Sequence, residues 1–298
     1  MMKPQFSTYF GPLVGILIVF SRAGLLSGQD GQIDYFGQIP PGDTPAIFAP
    51  GEISKPGRFE HAAIFSRDGK EFYFSVSSGW VHLTTYVRKL QHRGWTTEER
   101  TPFSEDRNAA EPTISYDNNR LVFTDSVHLW MVARNGTDWG DAVKLAGGVN
   151  TLPFQWHPTL ARNGNLYFSY QGNIYRCEMV DGEYRLAVKL PAPVNSPSWN
   201  ADAVIAPDES WIIFNSNRPG TKGSADLYIS YVTADGKWTD PINLGPPINF
   251  PAAMNDPSSL SPDGKYFFYS VRTEKGSDIY WVSSGFIGRL RPKNAQAP

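Results

Sequence analysis

The sequence is poor in cysteine and in charge, and it shows no helical periodicity. Cys177 is the single cysteine among 298 residues, so an internal disulfide is excluded, and its place in a predicted strand favours a buried, inert thiol. Charged residues make up 19% of the chain and the net charge is −2, which gives no basic field for nucleic acid. Nucleophile elbows, phosphate loops and His-x-x-His pairs are also missing, so short motifs predict no cofactor and no metal site.

Long hydrophobic runs are missing too, apart from one near the N-terminus. Residues 10–20 form an apolar run of 11 that follows Lys3 and precedes Ser21-Arg22-Ala23. This pattern is typical of a secretory signal peptide, and the run is too short to span a bilayer comfortably. We expect residues 1–23 to be a signal peptide and the protein to be periplasmic or secreted; an uncleaved anchor is the alternative. Residues 24–43, rich in Gly, Gln and Pro, are predicted to be a linker.

Aromatic residues are abundant at 14% of the chain, and they recur in five similar segments. Each segment follows an Asp or Asn turn, and these residue types tolerate the positive φ that tight hairpins need. The segments, each with its turn, are Asp68-Gly69 before 70–74, Asp117-Asn118 before 120–123, Asn163-Gly164 before 165–168, Asp208-Glu209 before 211–214 and Asp263-Gly264 before 266–269.

A second series lies upstream of these turns and repeats with a fixed offset. A Ser or Asn marker is followed seven residues later by a titratable side chain in all five copies. The pairs are Ser54 with His61, Ser104 with Glu111, Asn150 with His157, Asn195 with Asp202, and Asn249 with Asp256. Repetition at a fixed period is the signature of a repeat architecture.

The repeats predict an all-β, five-bladed β-propeller over residues 44–290. Each unit of about 45 to 54 residues has room for four short antiparallel strands, which is a propeller blade. The last unit lacks a good fourth strand, and the segment from Thr44 to Ser54 aligns with the fourth strand of the preceding unit. We therefore expect the N-terminal strand to close the last blade and to leave no open edge. Residues 291–298 are predicted to be a tail.

The turn Ser261-Pro262-Asp263-Gly264-Lys265, together with Ser66-Arg67-Asp68-Gly69-Lys70, resembles the TolB-type, WD-like β-propeller repeats of bacteria. The stretch 214–220 leading to Ala225-Asp226-Leu227-Tyr228 is also typical of that family. The resemblance spans nearly the whole chain after the signal peptide, although the second and third units depart from the family turn. It implies a propeller and an exported protein that binds a ligand or a partner, with enzymes among the family. It does not specify the chemistry.

The first strand of each blade lines the axis of a propeller, so the five titratable residues should form a polar ring: His61, Glu111, His157, Asp202 and Asp256. Titratable groups held close together shift one another's pKa and concentrate at functional sites. The alternative is structural, because a polar residue at a strand start can bond the backbone of the adjacent blade. Neighbouring aromatic and polar residues favour a ligand site, and the predicted ligand-binding set adds Arg58, Arg107, Trp156, Trp199, Asn200 and Asn255.

Three functions are compatible with such a ring. The first is binding of a small polar ligand, a carbohydrate or glycan, which needs aromatic rings for stacking and carboxylates for hydroxyls. The second is a glycoside hydrolase or lyase, with Glu111 as the acid and Asp202 or Asp256 as the base. The third is a scaffold for another envelope protein. A metal site is the weakest interpretation, because no two of the ligands are close in sequence. Arg218 and Arg272, at equivalent places, are interpreted as braces for Asp226 and Asp278.

Overall fold

The computed structural model describes residues 33–79 and 81–295. The predicted signal peptide lies outside the described residues, as does the predicted linker up to residue 32. In the described part the chain is all-β, with one short α-helix and two 3-10 turns, which confirms the predicted fold class at that level. That part contains no helix with the length and apolar character needed to cross a membrane.

Apart from β1, which pairs with the last strand of the chain, the first twelve strands belong to the first two repeat units and the start of the third. They are β1 (Ala46–Ile47), β2 (Phe59–Phe65), β3 (Glu71–Ser78), β4 (His82–Gln91), β5 (Gly94–Trp95), β6 (Glu99–Arg100), β7 (Ala110–Ile114), β8 (Arg120–Thr124), β9 (Leu129–Asn135), β10 (Asp138–Trp139), β11 (Val143–Lys144) and β12 (Trp156–Leu160).

The remaining strands complete the third unit and form the last two. They are β13 (Leu166–Tyr170), β14 (Asn173–Cys177), β15 (Met179–Val180), β16 (Glu183–Tyr184), β17 (Val188–Lys189), β18 (Asn200–Ile205), β19 (Trp211–Ser216), β20 (Asp226–Tyr231), β21 (Ile242–Asn243), β22 (Met254–Leu260), β23 (Tyr266–Thr273) and β24 (Gly276–Ser283), followed by helix α1 (Gly285–Arg289).

Twenty of the twenty-four described strands pair into five antiparallel sets of four. The sets are β2-β3-β4-β6, β7-β8-β9-β11, β12-β13-β14-β17, β18-β19-β20-β21 and β22-β23-β24-β1. The last set is completed from the other end of the chain, because β1 places Ala46 opposite Trp281 and Ile47 opposite Tyr280. This pairing is the closure that the sequence predicts.

The first strands of the sets contact one another in a closed cycle. β2 contacts β7, β7 contacts β12, β12 contacts β18, β18 contacts β22, and β22 contacts β2. The aromatic second strands are buried between neighbouring sets, where Phe72, Phe123, Phe168, Phe214 and Phe268 are all fully buried. Full burial of one such side chain contributes about 1.5–3 kcal/mol. The repeated aromatic segment is therefore the core-forming element, and the first strands surround a common centre.

The Ser and Asn markers tie each set to the next. Asn195 accepts a hydrogen bond from the Ile174 N–H (2.8 Å) and donates to the carbonyls of Ile174 and Leu190 (2.8 Å each). Asn150 and Asn249 make the corresponding bonds to β9 and β20, and the hydroxyls of Ser104 and Ser54 accept from the backbone of β4 and β24. Each marker thus fixes the chain seven residues before the polar ring.

The last part of the predicted linker, 24–43, lies within the described residues. From Ile33 onward the chain belongs to the same compact unit as the strands. Tyr35 is buried and donates a hydrogen bond to Asp263 (3.1 Å), and Phe36 stacks on Trp95 with ring centroids 4.3 Å apart. The two aromatic rings bury apolar area here, in a segment whose Gly and Pro content predicted a linker. At the other end, Ala295 of the predicted tail pairs with Thr233.

Candidate functional site

A β-bulge in each first strand delivers the ring residues to the centre. The pairing between first and second strand slips between His61 and Ile64, Ala110 and Thr113, Trp156 and Thr159, Ala201 and Val204, and Pro257 and Ser259. A bulge adds one residue to a strand and redirects its side chain. The sequence therefore builds the same local irregularity five times within the described residues, next to the same titratable position.

Three of the ring residues adopt a left-handed backbone at these bulges. The φ angles are +56° at Glu111, +50° at His157 and +46° at Asp202. This region is uncommon for residues other than glycine and costs about 1–3 kcal/mol when the surroundings enforce it. Such strain is concentrated at binding and catalytic sites. Serines of the preceding set hold two of the bulges, because Ser75 accepts from the Glu111 N–H (2.8 Å) and Ser169 from the Asp202 N–H (2.7 Å).

All five ring residues line one central cavity of about 380 Å³. Trp156, Trp199, Tyr170, Phe154 and Met254 line it as well. Phe154 and Trp199 are the most open of these aromatic residues, with 59% and 36% of their surface exposed. The cavity therefore has a polar floor of titratable groups and an aromatic rim, and its volume lies in the range of ligand pockets.

Asn215 joins two of the carboxyls on one side of the cavity. Its amide donates to Asp256 (2.6 Å) and to Asp202 (3.1 Å). Arg272 lies 3.5 Å from the other oxygen of Asp256 and also donates to the sulfur of Met254. The two aspartates are thus held side by side by a shared neutral donor, with one guanidinium at their edge.

Glu111 lies between the two histidines. One carboxyl oxygen is 3.9 Å from Nδ1 of His61 and 4.0 Å from Nδ1 of His157, and the other accepts the His157 backbone N–H (2.6 Å). The last contact is the adjacent-strand bond that the structural interpretation anticipates. Glu111 makes that bond with one oxygen only. Its second oxygen faces the two histidines and remains part of the titratable lining of the cavity.

Burial and mutual repulsion shift the ring pKa values away from their ordinary range. Burial lowers the pKa of His61 to about 3, with Arg272 and His157 adding to the effect, and lowers the pKa of His157 to about 4. Burial raises the pKa of Asp256 to about 6, although Arg272 opposes the shift. Burial and the Asp202 carboxylate raise the pKa of Glu111 well above its usual value, and burial raises the pKa of Asp202. The imidazoles are neutral at pH 7, and the carboxyls retain protons more strongly than in water.

Four of the predicted ligand residues are not at the cavity. Arg58 pairs with Glu60 and Glu98, and Arg107 stacks 4.4 Å over the ring of Trp130. Asn200 and Asn255 are fully buried and bond local groups. The first accepts from Arg218 (2.8 Å) and donates to the Ser198 carbonyl (2.6 Å), and the second donates to the Ala225 carbonyl (3.1 Å). Asn255 directly precedes Asp256, so alternation along the strand turns its amide away from the cavity. Asn200 lies two residues before Asp202, and the bulge at Asp202 breaks the alternation there.

The sequence interpretation missed Arg272 and the rim residues Phe154 and Tyr170. Arg272 lines the cavity beside Asp256 instead of bracing Asp278, and Arg218 bonds Asn200 and the Val194 carbonyl while Asp226 accepts from Asn243. The two arginines are equivalent in the repeat but not in their contacts. The usable signal was the hairpin register. Arg272 pairs with Met254 on the neighbouring strand, and Met254 lies two residues before Asp256.

The arrangement permits two kinds of chemistry. Neutral imidazoles, carboxyl groups and a guanidinium offer both donors and acceptors to hydroxyl groups, while the rim offers flat apolar faces. A carboxyl with a pKa near neutrality can also donate a proton to a leaving group. Among the described residues, no cluster of three or more His, Cys, Asp or Glu side chains has the geometry to hold a metal ion.

The chain is similar in structure to several propeller-type proteins. TolB from Acinetobacter baumannii aligns with a TM-score of 0.49 at 16% identity, over 76% of this chain and 55% of that protein. A GH43 glycoside hydrolase engineered for endo-xylanase and exo-arabinofuranosidase activity aligns with a TM-score of 0.48 at 14% identity, over 80% and 51%. A glycosyl hydrolase from Bacteroides ovatus aligns with a TM-score of 0.49 at 9% identity, over 81% and 87%. Neither a protein-family model nor a curated protein matches the sequence.

Proposed function

We propose that this chain is an exported, five-bladed β-propeller whose central cavity binds a small polar ligand, a carbohydrate. The observation that carries the proposal is the convergence of five titratable side chains, one from each set of strands, on a cavity rimmed by aromatic rings. The closed cycle of first strands supports the blade count, and the N-terminal pattern of residues 1–23 supports export to the periplasm or the medium.

Each part of the cavity matches one part of a sugar. Trp156, Trp199 and Tyr170 present flat faces to the C–H face of a pyranose ring. The carboxyls, His61 and His157 offer acceptors and donors to its hydroxyls. A cavity of about 380 Å³ is small, so the ligand is a short saccharide or the end of a longer one.

The binding proposal is tested with a panel of mono- and oligosaccharides, followed by thermal shift and titration calorimetry. Removing an aromatic face at the rim should weaken binding by about tenfold or more, since large rings dominate contact energies. We expect this loss for Trp199→Ala. Trp139→Ala is the matched control, because Trp139 contacts Tyr73 and Arg134 outside the cavity. Equal affinity of wild type and Trp199→Ala would contradict the assignment of the rim.

Hydrolysis of a glycosidic bond is the second candidate, favoured by the carboxyl pair of Glu111 and Asp256. The pKa values of both are raised, and that of Asp256 to about 6, as a proton donor requires. Release of sugar from aryl glycosides or polysaccharides, abolished in Glu111→Gln and Asp256→Asn, would establish this activity. Binding without product release in wild type would leave the cavity a binding site. Retention of partner capture with no ligand binding would favour the scaffold.

A further inference from the structure

We propose that the carbohydrate bound in the central cavity carries a protonated amine, so that the ligand class is amino sugars rather than neutral sugars. The inference rests on the proposed carbohydrate function and deepens it. It is carried by the charges that line the cavity, by a buried polar atom that lacks a partner, and by the aromatic rim.

The lining of the cavity has an excess of acidic groups. Three carboxyls line it, on Glu111, Asp202 and Asp256, whereas Arg272 is the one Lys or Arg among the described lining residues. The two histidines do not offset the difference, because burial keeps their imidazoles neutral. With all three carboxyls ionised, the cavity lining therefore carries three negative charges and one positive charge. A buried charge without a counter-charge is costly, so an ammonium group on the ligand would be stabilising.

A buried hydroxyl on the cavity wall points to a ligand group at the same place. Ser270 lines the cavity and is fully buried, and its Oγ has no hydrogen-bond partner within the described part of the chain. Ser270 is opposite Asp256 in the strand pair β22–β23. Buried polar groups in proteins are normally satisfied. A polar ligand group between this hydroxyl and Asp256 would satisfy the hydroxyl.

The rim favours the same charge on the ligand. Trp156, Tyr170 and Trp199 line the cavity, and the faces of aromatic rings attract cations, tryptophan most strongly. A sugar ring that stacks on one of these faces would carry its amine towards the carboxyls of the floor. Rim and floor thus select for one positive charge attached to a flat, polar ring.

The floor requires a cation that donates hydrogen bonds. Ionised carboxylates are acceptors only, and an ammonium offers three N–H donors to them. A quaternary ammonium has no N–H and could donate a hydrogen bond to neither Asp202 nor Glu111. This distinction separates an amino sugar from a choline-type ligand, which the aromatic rim alone would also accept.

Binding of an amine should also release protons. Burial raises the pKa of all three carboxyls, that of Asp256 to about 6. A nearby positive charge favours the ionised form and lowers these pKa values. At pH 6 an ammonium would therefore displace protons from the cavity, whereas a neutral sugar would not.

The test is titration calorimetry on the full chain at pH 6, in two buffers that differ in ionisation enthalpy. The probes are glucosamine, N-acetylglucosamine and glucose, their β-1,4-linked trimers, and tetramethylammonium. We expect the amine-bearing sugars to bind at least tenfold more tightly than their acetylated and hydroxyl counterparts, with a buffer-dependent heat that reports proton release. In Asp202→Asn, which keeps the shape of the side chain, the preference should fall below about threefold. Asp278→Asn, on a carboxyl outside the cavity, is the control and should keep the full preference.

Each other outcome overturns the inference, and the outcomes differ in what they leave standing. Equal affinity for glucosamine and glucose, or tighter binding of glucose, leaves the carbohydrate function intact and refutes the amine. Binding of none of the probes by a folded wild type refutes both. If tetramethylammonium binds as tightly as glucosamine, the role of N–H donors is refuted. If tetramethylammonium binds and no sugar does, the carbohydrate function is refuted as well.

Discussion

At the scale of single residues, the two buried histidines make stability depend on pH. His61 and His157 are each only 5% exposed, and burial lowers their pKa values to about 3 and 4. The unfolded chain titrates its histidines near 6.5, so between pH 6.5 and 4 it binds more protons than the native state. The stability from a neutral imidazole is therefore fully present above pH 6.5 and is lost as the pH falls towards the folded pKa.

His157→Gln should remove one such contribution. Between pH 7 and 4.5 the wild type should lose about 2–3 kcal/mol through His157 alone, and the variant should lose that much less. Urea unfolding at both pH values measures the difference. His92→Gln replaces an exposed histidine and should retain the wild-type loss. A variant that loses as much stability as the wild type would show that His157 is not held neutral.

The ring could be predicted from sequence because its signal is an offset that repeats five times. Asn200 and Asn255 could not be distinguished from ligand residues in the same way, since neither the bulge nor the direction of each side chain is visible in the spacing. Arg272 was missed because its charge was matched with Asp278 across the β23–β24 hairpin, whereas the fold brings Asp256 of β22 to 3.5 Å.

At the scale of elements, the bulge of β2 can be tested without altering a titratable group. Ala62 sits at this bulge with φ of +52° and lines the cavity, so a larger side chain has room. The strain at a left-handed backbone is greatest for β-branched residues and absent for glycine. We expect Ala62→Val to lower the free energy of unfolding by about 2 kcal/mol and Ala62→Gly to change it by less than about 1 kcal/mol. Equal effects of the two changes would contradict a strained bulge.

The markers are a second element-scale feature, and Asn195 is the clearest of them. Its side chain is 7% exposed and makes three hydrogen bonds to the backbone of β14 and of Leu190, the residue after β17. Asn195→Ala should lower the free energy of unfolding by about 3 kcal/mol, because buried backbone groups lose their partners. Asn173→Ala, at an exposed donor to the Gln171 carbonyl, should stay within about 0.5 kcal/mol. Denaturant unfolding of the two variants measures both changes in the free energy of unfolding, and equal changes would contradict the role of Asn195.

The same markers show what sequence reasoning could and could not supply at this scale. Their spacing placed the ring, but the reason for Ser or Asn became visible only in the contacts, where a short side chain bridges the N–H and C=O of a strand from the preceding set. The packing of the chain from Ile33 onward was not visible in the sequence for a related reason. Composition reports the Gly and Pro content of the segment, whereas the packing of Tyr35 against Phe65, Tyr266 and Trp281 depends on partners distant in sequence.

At the scale of the whole molecule, closure of the last set depends on residues 46–48. β1 pairs with β24, and Phe48, which follows it, is fully buried against Phe65, Phe72, Phe268 and Trp281. Phe48 therefore joins the first set of strands to the last. The sequence predicts this closure because the repeat count left one strand missing at the C-terminal end and one unassigned strand at the N-terminal end.

Phe48→Ala should lower the free energy of unfolding by about 3–5 kcal/mol, since it opens a cavity in an aromatic cluster. Ile39→Ala is the control, because Ile39 is 92% exposed and should change stability by less than about 0.5 kcal/mol. A chain that begins at residue 51 should be less stable than Phe48→Ala and more prone to associate, because it also leaves the edge of β24 exposed to pairing with other chains. Size-exclusion chromatography and thermal unfolding of the three variants test this order. A monomeric, cooperatively folding truncated chain would show that the last set of strands is stable without closure from the N-terminal end.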